Sequence, residues 1–579
     1  MSETTACPLD CYDACRILID VNGKIKGDDS HPVTRGYLCP HLNHFDDFKR
    51  IVKPRFAGQE ISMDDAISKL CTELQNCDSE KMLFYRGSGN IGLMQHSMDH
   101  FFSQLGAVGT RGSLCDGAGE AGILEGRGIN YSFSPEIVDK AQVVIVWGRN
   151  PHVTHSHMLG ALKNKSIIVI DPVKIQLAKS ADIHIQIKPH CDLHLALLLS
   201  HQAVSKGLQD EDFLEKYGSN YKDFFTLIQT LEINKVLESI GLTLDQVESL
   251  LELIRAKRTV ILVGTGVQKY HNGAEVLRGI DALGAILGLF GKTGCGVGFL
   301  GSSMLGLESP FRAFDKMVPK PTIGFSLFDT VFVQGGNPLA QMPHSHIVRE
   351  GYSASGFKIY FGLYENETSK ASDLVIPAKT FLEKEDVRSS YGDFTLQKMS
   401  KLRETKIGIS EYDLASVLCN QFNYSIPHEQ ECLKLFYDQM VSKDGVEYKK
   451  NMPKIPYENG FATESGKFIF MDEFDLGMND EEGLFLLTPK AARSLNSQFH
   501  RSSEIYLHSK CGFDVGNIVI VSSKNGCIKL SVCHDERLRS DCAVIYAGTP
   551  GLNNLTPNFL SHKGENAIYQ ENKIKVEKC

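Results

Sequence analysis

The chain has 579 residues, too many for a single hydrophobic core and enough for about three to five domains of ordinary size. Hydrophobic residues make up 42% and charged residues 23%, the balance of a globular protein rather than of a disordered or fibrous one. A net charge of -9 with no Lys/Arg-rich stripe argues against a nucleic-acid partner, and no run approaches the roughly 18–20 apolar residues that cross a bilayer.

The first residues carry no basic stretch, no apolar core and no twin arginine, so the cytoplasm is the expected compartment. Sixteen cysteines is many for that compartment, where they read as metal ligands and free thiols rather than as disulfides. Four of them open the chain. Cys7, Cys11 and Cys15 are spaced C-x3-C-x3-C, and Cys39 follows in Gly36-Tyr-Leu-Cys-Pro40. Between them Arg16–Val21 alternates like a strand, Asn22-Gly23 signals a hairpin turn, and Lys24–Lys26 begins the return. Three thiolates on one loop and a fourth on a return segment suit the corners of a [4Fe–4S] cubane. Zinc is the rival reading, although its structural sites usually pair their ligands in two knuckles, and a disulfide is the other alternative. Cys71, Cys77, Cys419, Cys432, Cys527, Cys533, Cys542 and Cys579 lack any ligand-like grouping and read as buried or surface thiols.

From about residue 56 short apolar runs alternate with amphipathic stretches. The runs 81–86, 142–147, 166–170, 259–263, 330–333 and 358–362 are rich in Val and Ile, as buried strands of a parallel sheet are. Their exits are Gly87-Ser-Gly89, Gly148-Arg-Asn-Pro151, Asp171-Pro172, Gly264-Thr-Gly266, Gly335-Gly-Asn-Pro338 and Tyr364-Glu-Asn-Glu367. Ligands of open α/β sheets bind at the carboxyl ends of the strands, where glycine lets backbone approach phosphate. Six such exits point to a large phosphate-containing ligand, and the lack of a strict G-x-G-x-x-G turn argues against NAD. In the last hundred residues, runs at 483–488, 517–522, 527–532 and 543–546 with turns such as Lys524-Asn-Gly526 predict a β-barrel.

Taken in order, these features resemble the molybdopterin (bis-guanine-dinucleotide) oxidoreductase family, with its formate dehydrogenases, nitrate reductases, polysulfide and thiosulfate reductases and dimethyl sulfoxide reductase. The resemblance is carried by Trp147-Gly-Arg-Asn-Pro151 with His155, by Gly335-Gly-Asn-Pro338, and by Glu367-Thr368 with Asp373-Leu-Val-Ile-Pro377. Tyr391-Gly-Asp-Phe394 with Gln397, Leu487-Thr488, Asn496-Ser-Gln498-Phe499 and Asn553-Asn-Leu-Thr556 extend it to the C-terminal region. It implies a multidomain α/β fold: a [4Fe–4S] β domain over 1–55, a first Rossmann-like α/β domain over 56–112 plus 325–430, and a second over 113–324. A connecting segment over 431–480 and a C-terminal β-barrel over 481–579 complete the expected layout.

The resemblance also implies Mo or W held by two molybdopterin guanine dinucleotides, with one protein ligand to the metal. The candidate is Cys115 in Thr110-Arg-Gly-Ser-Leu-Cys-Asp-Gly-Ala-Gly119, on a Gly-rich loop opening an apolar run. A helix N-terminus there would lower the thiol's pKa. Asp116, Glu120 and Arg111 flank it as candidates for positioning substrate or relaying protons, and one of His152, His155 and His157 is expected at a pterin or phosphate. The implied dinucleotide contacts are Gly148, Asn150, His155, Asp171, Asp192, Gly264, Gly266, Gly335, Asn337, Glu367, Thr368, Asp373, Gln397, Thr488, Asn496, Gln498, Phe499 and Asn553. Formate dehydrogenases follow the metal ligand with histidine, where this chain has Asp116. Many members carry lysine two residues after the fourth cluster cysteine, where this chain has His41.

The expected activity is two-electron redox chemistry on a small molecule, of formate dehydrogenase-like or polysulfide, thiosulfate or nitrate reductase-like kind. Electrons would pass through the cluster to an electron-transfer protein or iron–sulfur subunit. A non-catalytic electron-transfer scaffold and a non-redox lyase or hydratase are the alternatives.

Overall fold

The computed structural model describes residues 3–133, 135–255, 257–477 and 482–579; the expected junction at 480–481 lies outside them. At the start, Thr5–Ala6, Arg16–Ile19 and Ile25–Gly27 form an antiparallel three-stranded sheet. The predicted hairpin forms, with Gly23 at φ +79°, the left-handed conformation that glycine adopts most readily.

The middle of the chain builds two sheets. One has five parallel strands in the order Ile183–Ile185, Ser166–Ile170, Val143–Trp147, Thr259–Val263, Gly296–Gly298. The other has six in the order Gln59–Glu60, Arg55–Phe56, Leu374–Pro377, Phe357–Gly362, Thr330–Gln334, Met82–Arg86, antiparallel only at the end formed by residues 55–60. The central strands are apolar throughout because both faces are covered. In the five-stranded sheet Val143, Ile145 and Trp147 pack with Leu193, Leu197 and Leu277 from helices Asp192–Ser205 and Gly273–Ile286. Val144, Val146 and Val169 meet Met158 and Leu162 on the other side. In the six-stranded sheet Phe84, Phe332 and Ile376 face Leu70, Phe102 and Leu418 from three helices, while Leu83, Val333 and Val375 face Val348 and Tyr352.

Arg127 is buried in the five-stranded half. Its Nε donates at 2.7 Å to Asp281, Nη1 donates to Val297 O at 3.0 Å, and the guanidinium stacks over Phe290. Such pairing is what makes a buried charge tolerable.

The C-terminal region is a closed six-stranded barrel in the order Leu484–Leu487, Cys542–Val544, Glu504–Leu507, Gly526–His534, Ile518–Ser523, Lys573–Lys578. Leu486, Ile505, Val519, Val521, Val532 and Ile574 fill it. Among the described residues no helix is long and apolar enough to cross a membrane.

Candidate active site

In the five-stranded sheet the strand order reverses between Val143–Trp147 and Thr259–Val263, and in both sheets glycines at neighbouring strand exits face each other. Between Val143–Trp147 and Thr259–Val263, Gly266 N donates to Gly148 O at 3.3 Å, and a Cβ on Gly264 would stand 2.1 Å from that oxygen. Between Met82–Arg86 and Thr330–Gln334, Gly89 N donates to Gly335 O at 3.2 Å, and a Cβ on Gly87 would stand 2.4 Å from Gly336 Cα. Ligands of α/β sheets bind at the carboxyl ends of the strands, above all where the order reverses. Here both sets of exits open onto one cavity of about 1070 Å³, lined by residues from all six predicted strand exits and by the barrel. That exceeds the space usual for one drug-sized ligand, about 300–1,000 Å³.

Gly148, Asn150, Asp171, Asp192, Gly264 and Gly266 line the cavity from the five-stranded side. Gly335 and Asn337 line it from the six-stranded side, and Thr488, Asn496, Gln498, Phe499 and Asn553 from the barrel. Arg149 Nε, Asn150 Oδ1, Gln334 Oε1 and Arg501 Nη2, all on cavity-lining residues, are buried without a hydrogen-bond partner among the described residues. Buried polar atoms are rarely left so, and a polar ligand with phosphate and amide groups suits them. Asp192 accepts from Trp147 Nε1 at 2.7 Å, and burial pushes its carboxyl up to about 7; burial and Asp192 do the same for Asp171.

Cys115 lies in the same cavity, just ahead of helix Gly117–Arg127. Ser113 Oγ accepts from the Cys115 and Asp116 amides at 2.8 and 3.1 Å, and Gln268 Nε2 donates to Cys115 O at 2.6 Å, fixing the loop. The helix N-terminus does not lower this thiol as expected. Burial, then Asp116, pushes it up to about 12 despite Lys490 and Lys269, so only a bound metal ion would hold it as thiolate. Asp116 and Glu120 also line the cavity, and burial raises both carboxyls. Arg111 is elsewhere: it lies on the surface, 2.9 Å from Glu565 Oε1, because its short strand Gly109–Arg111 directs it to the rim.

The four N-terminal cysteines line a second, smaller cavity with Asp13, His41, His155 and Lys490. Burial raises all four thiols, and Cys39 adds to the rise at Cys7. The loop's carbonyls are held by a distant strand pair, Asp386–Ser389 with Leu396–Met399. Arg388 donates to Cys7 O at 3.0 Å and Cys11 O at 2.9 Å, Ser390 Oγ to Tyr12 O at 2.8 Å, and Gln397 Nε2 to Ala14 O at 2.6 Å. Gln397 therefore serves the cysteine loop and does not line the large cavity.

His155 also belongs to this loop. It stacks on Tyr12 at 4.9 Å, sits 3.3 Å from Asp13, and is held neutral by burial and by Arg149. His157 Nε2 is 3.2 Å from Cys15 Sγ, while His152 lines the large cavity. Glu367 and Thr368 stand behind Asn337, binding its Nδ2 and Oδ1 at 2.8 and 2.9 Å, and so shape the cavity indirectly. Asp373 is remote, tied to the Lys358 amide at 2.9 Å at the start of its strand.

Lys269 and Lys490 stand out among cavity residues that sequence reasoning missed. Burial lowers the Lys269 ammonium, with Cys115 and Asp116 opposing. Each is a single lysine in a loop, and such a residue leaves no periodic or motif signal.

A pair of parallel sheets with facing glycines at their strand exits, a barrel wall and a cysteine in one shared cavity define a class of large-cofactor enzymes. The profile of the molybdopterin oxidoreductase family matches residues 60–408, more than half of the chain, and the chain belongs to that family. It is thus an enzyme of a molybdopterin-dependent class whose cofactor carries Mo or W. "Probable oxidoreductase YoaE" of Bacillus subtilis is 25% identical over 99% of this chain and 98% of its own length. Formate dehydrogenase H of Escherichia coli is 23% identical over 81% of this chain and 76% of its own. The solved acetylene hydratase from Pelobacter acetylenicus has the same fold, with a TM-score of 0.82, 16% identity and full coverage of both chains.

Proposed function

We propose that the chain is a bis-molybdopterin guanine dinucleotide enzyme that exchanges two electrons with a small substrate and relays them through one [4Fe–4S] cluster. The formate dehydrogenases and nitrate reductase among its relatives make formate-like or oxyanion-type substrates the first to try. The observation that carries the reading is the pair of adjoining cavities, one edged by four cysteines and one by Cys115. Cys7, Cys11, Cys15 and Cys39 would hold the cluster, and Cys115 the metal. The four thiols surround one small cavity, which supports reading them as the four corners of a cluster.

When bound, the metal–pterin group supplies the two-electron chemistry. The chain's own residues would do the rest. Lys269 offers a positive charge beside Cys115 for an anionic substrate. Asp116 and Glu120, both raised toward the protonated form, are placed to take up or release the proton that accompanies the reaction. An electron-transfer protein or iron–sulfur subunit would dock near the cysteine loop.

Elemental analysis of the purified holoenzyme, with viologen-linked assays against formate, nitrate, polysulfide and thiosulfate, tests this. Iron together with Mo or W, and dye-linked turnover of one substrate, is expected. Iron without Mo, W or pterin would reduce the protein to an electron-transfer scaffold, and turnover needing no electron acceptor would make it a lyase or hydratase.

A further inference from the structure

The wall between the two cavities contains a charged pair. Lys490, in the loop that leaves barrel strand Leu484–Leu487, lines the large cavity with Cys115 and the small one with the four cysteines. Its Nζ is 3.2 Å from Asp10 Oδ2. Asp10 lies between Cys7 and Cys11 in sequence and is fixed by Asn496 Nδ2 at 2.9 Å and the Tyr391 hydroxyl at 3.1 Å. Among the described residues Lys490 is the one basic side chain on both walls. Burial opposes its charge, and the Asp10 carboxylate opposite holds the ammonium protonated.

His41 cannot substitute for it. That ring stacks on Phe499 at 5.4 Å, its Nδ1 is 3.9 Å from Cys39 Sγ, and it lines the small cavity without reaching the large one.

We propose that Lys490 is the positioning cation shared by the two centres: from the barrel it raises the reduction potential of the cysteine-loop cluster, with Asp10 as its opposing charge. The physical reason is direct. Adding an electron to a cluster makes it more negative, and a fixed positive charge at its edge in a low-dielectric wall stabilises that form. A fixed negative charge does the reverse, so the two members of the pair pull the potential in opposite directions. This inference rests on the reading of the four cysteines as a cluster site.

The test is a redox titration of the purified holoenzyme followed by the EPR signal of the reduced cluster, in wild type and four variants. Lys490→Met should shift the midpoint to more negative potential, Lys490→Arg should stay near wild type, and Asp10→Asn should shift it to more positive potential. His41→Gln should move it less than Lys490→Met does. A midpoint unmoved by Lys490→Met, or shifts of the same sign at Lys490 and Asp10, would overturn the proposal. If Lys490→Met fails to retain the cluster, the sign of the Asp10→Asn shift decides. A wild-type protein with no iron–sulfur signal would instead refute the underlying cluster reading.

Discussion

Cys115 shows how a residue's surroundings override a local rule. Its place before helix Gly117–Arg127 suggested an acidic thiol, but burial and the neighbouring Asp116 push it up to about 12. Without a bound metal it is a thiol, and it is suited to a metal ligand rather than to a free nucleophile. Cys115→Ser keeps the loop, because the contacts from Ser113 and Gln268 are made to the backbone of residue 115. The variant should therefore retain the visible absorption and EPR signal of the cluster while losing at least about tenfold in turnover, roughly 1.4 kcal/mol of barrier. Loss of the cluster signal would show that the thiols are wrongly divided between the two centres. Cysteines were legible in the sequence because few other residues share their chemistry, and their spacing separates Cys7, Cys11, Cys15 and Cys39 from the scattered thiols. Lys269, Lys490 and Arg388 were not, since a basic residue in a loop or strand is ordinarily solvated and only the fold shows these turned inward.

At the scale of elements, the central strands could be read because both faces of each sheet are covered, which leaves an unbroken apolar run. Ser166–Ile170 and Thr259–Val263 fall where the sequence predicts them, and the others differ by a residue at an end. The barrel was less legible. Lys573–Lys578 alternates charged and apolar residues in a strand with one solvated face, and Glu504–Leu507 has only four residues, so neither gave a clear run. The glycine exits were read as phosphate turns; the structure adds that Gly264 sits against Gly148 O, with no room for a Cβ. Gly264→Ala must push the two loops apart, costing about 1–3 kcal/mol as overpacking usually does. The expected result is a lower melting temperature together with reduced pterin content after purification. A variant with wild-type stability and full pterin would mean that the loops yield freely and do not set the cavity's shape.

Across the whole molecule, the large cavity stores unfavourable charge. Asp171 and Asp192 are held at about 7, above the ordinary carboxylate value, chiefly by burial. A raised carboxyl binds more protons in the native than in the unfolded state, so its contribution to stability falls as pH rises between the unfolded value and about 7. Removing the titrating group removes that slope. The melting temperature of cofactor-free Asp192→Asn, minus that of the wild type, should therefore rise from pH 4 to pH 7 and level off above. A difference that is flat or falls across that window would contradict the placement of Asp192 in a dry wall.

The contacts on the cysteine loop also set a schedule for making the protein. Cys7, Cys11 and Cys15 are made about 370 residues before the groups that grip their carbonyls, which arrive only with Arg388, Ser390 and Gln397. The barrel wall of the large cavity, from Thr488 to Asn553, comes later still. For most of the synthesis of this stretch the cysteine loop thus lacks its partners and the cavity lacks one side. A bulky guest thus has its widest access from that side, while the barrel wall is still missing.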